Sequence, residues 1–306
     1  MRLPIRLLTP AAAVLLIPAC SSLEGPPRSA SELDSARTLH VEGQHEAAWD
    51  IISDFEAEEF DLAAQREFNV LAGDVTDALG DWNRTVRFYE AAMVQPGPAS
   101  QALRVEQRLL ELGIELLEGK RKVLIFFSDR GRGLVTLENL AFAGQFRSTR
   151  AEALARIAEY RFAQGAYVDA AQFYAGLLDP TLAGLGYEDH AAFRLGMCAY
   201  LRLEPDKPKG TVIQQGLDQF HAYLRDFPQG LSRAEAEAAR ADLAERLGEY
   251  HLMLADYYRR IDNPQGERFH LEIASGKAAP GHLEEAAELR GTRASAEADR
   301  RLAATP

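Results

Sequence analysis

From residue 31 onward, apolar residues recur at intervals of three and four in runs of 12–16 residues broken by glycine or proline. No stretch shows the strict alternation of a half-buried strand, so the pattern predicts an all-α chain of amphipathic helices. Within it a phrase repeats: a glycine, a ring two residues later, and a small residue five later. It reads Gly43, His45, Ala48; then Gly80, Trp82, Thr85; then Gly165, Tyr167, Ala170. Glycine ends a helix without steric penalty, the ring covers the turn, and the small residue lets the second helix approach the first. Seven residues before each turn glycine, where helices must also approach, stand Ala36, Gly73 and Ala158. Nine after it, filling the gap to the next unit, stand Ile52, Tyr89 and Tyr174.

This repeating turn resembles the tetratricopeptide repeat, and the 37-residue step from Gly43 to Gly80 is near that family's period of about 34. The expected architecture is a helix-turn-helix solenoid of about five to six repeats. Pro96 and Pro180 close units. Thr149 with Glu152, and Ser232 with Glu235, have the spacing of a capping box and predict helix starts. Phe193 to Gly196 reads as the first helix of a further unit and Ile213 to Phe227 as its second, joined by an exposed proline-rich loop. Ser232 to Ile261 predicts a long first helix with one seam through Leu243, Leu247, Tyr250, Leu254, Tyr257 and Ile261. The third unit is irregular. Its first helix ends at Gly119, and Val123 to Phe127 is an apolar run between basic residues, expected as a buried connector or, failing that, a partner-binding strip.

The first thirty residues follow another logic. Arg2 and Arg6 precede an apolar stretch, Leu7 to Pro18, of secretory-signal length and too short to span a bilayer. It ends Leu16-Ile17-Pro18-Ala19-Cys20-Ser21-Ser22, which resembles a bacterial lipobox. That resemblance implies cleavage after residue 19, acylation (palmitate among the chains) at Cys20, and a lipid anchor that does not cross the membrane. The residues after Cys20 are serines and not an aspartate, which favours the periplasmic side of an outer membrane. Residues 20–30 then form a flexible tether rich in glycine and proline.

Composition narrows the function. The formal charge is −12, and loss of residues 1–19 removes Arg2 and Arg6 and no acid, leaving 32 bases against 46 acids, or −14. Such a surface disfavours nucleic acid and anionic lipid. There are two cysteines, Cys20 and Cys198, so no disulfide framework supports the mature fold. His45-Glu46 lacks a second histidine at zincin spacing, the glycine pairs lack a phosphate cradle, and no nucleophile motif is present. No enzyme activity, cofactor, metal site or small-molecule substrate is expected.

From about residue 149 to 276 the phrases Ile157-Ala158-Glu159-Tyr160-Arg161-Phe162, Phe193-Arg194-Leu195-Gly196 and Ala255-Asp256-Tyr257-Tyr258 are similar to the C-terminal repeats of the BamD-like outer-membrane assembly lipoproteins. Residues 31–148 match only as generic tetratricopeptide-like repeats, and 277–306 form a capping helix or tail. The resemblance implies a non-catalytic scaffold that receives unfolded β-barrel precursors on its N-terminal units. Its C-terminal units would dock the periplasmic domains of a barrel-forming partner. In that family an arginine on the second helix of the last repeat makes the docking contact. Here His270 falls there with Arg268 nearby, behind an altered turn, Asn263-Pro264-Gln265-Gly266. The alternative is a generic scaffold organising other periplasmic or secretion proteins.

Overall fold

In a computed structural model of the chain, residues 28–124, 127–204, 207–277 and 287–304 are described. The signal segment, Cys20 and the tether to residue 27 lie outside them. Among the described residues the helices pack as six successive pairs. They are α1 (Asp34–Val41) with α2 (His45–Ile52), α3 (Leu62–Ala78) with α4 (Trp82–Met93), and α5 (Ala99–Leu117) with α6 (Arg130–Ala143). Next come α7 (Arg147–Ala163) with α8 (Tyr167–Leu177), α9 (Glu188–Leu201) with α10 (Gly210–Asp226), and α11 (Arg233–Arg260) with α12 (Pro264–Ala274). Each pair also touches the next, giving the nearest-neighbour packing of a helical repeat solenoid. A last helix, α13 (Arg293–Ala304), packs on α11 and α12 and buries Ala294, Ser295 and Ala298, so the C-terminal stretch caps the stack.

The helices are less uniform than the 12–16 residues expected, running from 8 in α1 to 28 in α11. One local departure from an all-α chain occurs in the third pair. There β1 (Lys122–Leu124) pairs antiparallel with β2 (Phe127–Ser128), with Leu124 opposite Phe127. The described ends of the apolar run expected as a connector are thus paired strands between α5 and α6, and residues 125 and 126 lie outside the described residues. The helices themselves meet through Gly113 and Gly133. A Cβ on Gly133 would lie 2.7 Å from the Leu117 amide nitrogen and 2.9 Å from the Gly113 carbonyl oxygen.

Two expected helix caps are corrected. Helix α7 starts at Arg147, and Thr149 lies buried in its first turn, donating to Glu106 (2.5 Å) and to the Phe146 carbonyl (3.0 Å). The buried Glu106 of α5 does the capping instead, accepting the amides of Gln145 (2.5 Å) and Phe146 (3.2 Å). Ser232 does precede α11 but its side chain caps nothing. At the opposite polarity, the buried Arg66 of α3 donates to the carbonyls of Ala92 (2.5 Å) and Gln95 at the end of α4. A buried carboxylate at a helix start and a buried guanidinium at a helix end each complement the local backbone charge.

Candidate functional surfaces

The repeated phrase does what its residue types require. Gly43, Gly80 and Gly165 have φ of 79°, 76° and 74°, the left-handed conformation that ends the first helix of a pair. Ala48, Thr85 and Ala170 are fully buried at the crossing, as are Ala36 and Ala158. A Cβ on Gly73 would come within 2.5 Å of the Tyr89 ring, and one on Gly196 within 2.7 Å of the Phe220 ring. Trp82 and Tyr167 are half-buried over their turns, Tyr167 edge-on to Phe162 at 5.3 Å. His45 covers the first turn by meeting His40, Nδ1 to Nδ1 at 3.2 Å.

The joints also hold a polar contact that the sequence reading missed. Asp74, directly after Gly73, accepts from the Tyr89 hydroxyl (2.6 Å) and is gripped by both Arg104 nitrogens (2.6 and 2.9 Å) from the next first helix. Glu159, directly after Ala158, accepts from the Tyr174 hydroxyl and lies 2.6 Å from His190 Nε2. Asp189 of α9 accepts from Tyr223 of α10 (2.7 Å) and from the Leu231 amide ahead of α11 (2.9 Å). In each case one carboxylate ties a first helix, its second helix and the following unit. Burial and the Asp189 carboxylate push the Tyr223 phenol up to about 12. Burial opposes ionisation of Glu159, but hydrogen bonds from Tyr174 and His190 and the Arg194 charge outweigh it and hold that carboxyl below its usual range. An acid following the small residue, with tyrosine 15 residues on, was the available signal.

Two surfaces stand out among the described residues. The first is a groove of about 510 Å³ between α2, α3 and α4, within the ~300–1,000 Å³ of ligand-sized clefts. Its lining mixes Trp49, Phe55, Phe68 and Phe88 with polar side chains, over a cluster of rings in which Phe60 and Phe68 are buried. Phe55 meets Phe60 edge-on at 5.7 Å, Phe60 stacks on Phe68 at 5.2 Å, and Phe68 and Trp49 both meet Phe88 edge-on. Arg28 lies over Phe55 at one end (4.6 Å) and Arg84 over Trp49 at the other (4.9 Å). Arg84 and Arg87 of α4 line it together with Glu56 and Glu58, and Arg84 also pairs with Asp81 (3.3 Å).

The second surface corrects the seam expected along α11. Leu243 and Leu247 are buried, but beyond them the helix turns His251 and Ala255 inward and leaves Met253, Tyr257 and Ile261 44%, 50% and 51% exposed. These three form a stripe at four-residue spacing, continuous through Met253 with a small cavity lined by Leu203, Ile213, Arg246 and Tyr250. The two residues expected to contact a partner diverge. Arg268 is solvent-facing and paired with Glu272 (3.0 Å), whereas His270 turns toward α11, stacked on Tyr258 at 5.3 Å with its Nδ1 3.0 Å from that of His251.

Cys198 is buried, and burial pushes its thiol up to about 12, which suits packing and not nucleophilic attack. Among the described residues no three His, Cys, Asp or Glu side chains converge as a metal site, and no helix is long and apolar enough to cross a membrane. No protein-family model matches the chain, and no curated protein matches its sequence.

Proposed function

We propose that the chain is a non-catalytic, lipid-anchored scaffold of tetratricopeptide type that binds partner proteins during assembly of β-barrel proteins at an outer membrane. The observation that carries the reading is the outward stripe of Met253, Tyr257 and Ile261 on the last unit, together with a groove of mixed polar and aromatic lining on the first units. In this reading the aromatic groove takes extended apolar segments of unfolded barrel precursors, since ring faces accept apolar side chains of many shapes. The Met253, Tyr257 and Ile261 stripe docks the periplasmic domains of a barrel-forming partner. Acylated Cys20 holds both near the lipid.

Depletion of the protein tests this: barrel proteins are then lost from the outer membrane while periplasmic and inner-membrane proteins persist. A detergent pull-down from envelopes recovers a barrel protein bearing periplasmic domains with wild type, and less of it with Cys20→Ala. Consistent absence of such a protein would overturn the proposal.

A further inference from the structure

The turn of a pair brings together the residue three before its glycine and the residue two after it. Around Gly165 these are Phe162 and Tyr167, with ring centres 5.3 Å apart; around Gly43 they are His40 and His45. Backbone bonds fix this first turn, the Gly43 amide donating to the His40 carbonyl (3.0 Å) and the Gln44 amide to the Leu39 carbonyl (2.8 Å). Both imidazoles are half-buried, with Nδ1 atoms 3.2 Å apart and ring centres 5.0 Å apart.

Two rings facing each other through a straight N–H···N bond of that length would have centres about 5.5 Å apart. His251 and His270 fit a straight bond, their centres lying 5.2 Å apart for nitrogens at 3.0 Å. The His40 and His45 centres are closer than a straight bond gives, so their ring axes are bent out of the line that joins the nitrogens. Two imidazoles on one ion, with metal–nitrogen bonds of ~2.0–2.1 Å at a near-tetrahedral angle, have nitrogens about 3.2–3.4 Å apart and centres about 5.0–5.2 Å apart. The pair has both separations.

We propose that His40 and His45 chelate one borderline divalent cation, of the zinc, nickel or copper type, through their two Nδ1 atoms. Imidazole nitrogen suits these ions, and a turn already held by backbone bonds leaves little ordering to be done on binding. Both Nδ1 atoms must then be free of hydrogen, so the hydrogen between them moves through solvent to the far nitrogen of its ring. Besides His45, the charges acting on His40 are the Asp74 carboxylate, which favours a cation, and the Arg104 guanidinium, which opposes it; these two pair with each other (2.6 Å). Among the described residues no third His, Cys, Asp or Glu side chain joins the two imidazoles, so water fills the remaining positions on the ion. The bound ion ties the end of α1 to the start of α2.

Metal titration of the mature chain in detergent, without a histidine tag and at about pH 7.5, where free imidazole is neutral, tests the site. Calorimetry with Zn2+ shows one saturable site that a chelator empties, and electron spin echo modulation of the first equivalent of Cu2+ shows two imidazoles on the metal. His45→Phe, which keeps a ring over the turn, and separately His40→Phe each weaken Zn2+ binding by about tenfold or more with helix content retained. His270→Phe leaves the site as it was. A single imidazole on copper, or no saturable zinc site in wild type, overturns the proposal without recourse to any variant. Equal zinc affinity in wild type and in a folded His45→Phe or His40→Phe chain overturns it too, as does loss of the site in His270→Phe.

Discussion

The middle of the stack and its C-terminal end use the same kind of helix pair to opposite effect. In the α3–α4–α5 joint, Gly73 admits the Tyr89 ring, Asp74 holds its hydroxyl, and Arg104 of the next unit closes the contact. Apolar and polar groups alike are committed to neighbours. At the end, α11 after Leu247 buries small or polar groups, Gly248, His251 and Ala255, while Met253, Tyr257 and Ile261 face outward. Repeat proteins add units until the last face is capped. Among the described residues α13 covers only part of that face, and Met253, Tyr257 and Ile261 stay open. A residue's place in the repeat therefore decides whether an apolar ring is buried in a joint or left open to solvent.

That contrast can be broken from either side. The largest effect on stability is expected from Glu106→Ala, which removes the buried carboxylate that accepts from the Gln145 and Phe146 amides and the buried Thr149 hydroxyl and costs about 3 kcal/mol, read by denaturant unfolding. Gly73→Ala follows: its methyl would sit 2.5 Å from the Tyr89 ring, and overpacking of this kind costs about 1–3 kcal/mol. Tyr89→Phe removes one hydrogen bond to a carboxylate that Arg104 still holds, and should cost about 1–1.5 kcal/mol. By contrast, Tyr257→Ser and Ile261→Ser should leave the unfolding midpoint nearly unchanged, since half of each side chain is already in water.

Acid gives a smaller test in the first unit. Burial, reinforced by His45 and Arg104 and opposed by Asp74, holds His40 below its ordinary value. The unfolded chain therefore takes up its proton first, and stability falls as pH drops through about 6.5, levelling once the folded imidazole also protonates. His40→Phe should remove that slope from a pH series of unfolding midpoints. The smallest change expected is a gain. At the last turn Asp262, φ 56°, holds the left-handed position that Gly43, Gly80 and Gly165 hold elsewhere. Asp262→Gly should stabilise by about 0.5 kcal/mol, the relief of strain being partly offset by unfolded-state entropy.

Much of the stack was legible in the sequence because its signals are local and repeat in register. Turn glycines, the small residues at the crossing and the rings after them sit at fixed offsets, and the structure gives each the expected contact. What escaped was long-range. The carboxylates of Asp74 and Glu159 look like any solvated helix face until their tyrosine and basic partners are placed around them. The groove draws its rings from four separate segments, so no single window announces it. Thr149 has the right spacing for a cap, but a glutamate 43 residues earlier took the role. Along α11 the spacing of apolar residues fits a seam throughout, while burial follows whether a neighbouring helix is present, a fact that periodicity does not contain.

The central claim is that the outward stripe on α11 exists to hold a partner. The direct test is a pull-down from envelopes that compares wild type with the double variant Tyr257→Ser and Ile261→Ser, with both melting temperatures measured alongside. The account predicts loss of the barrel protein bearing periplasmic domains at an unchanged melting temperature. Recovery of the same partners in the same amounts by the double variant would contradict it.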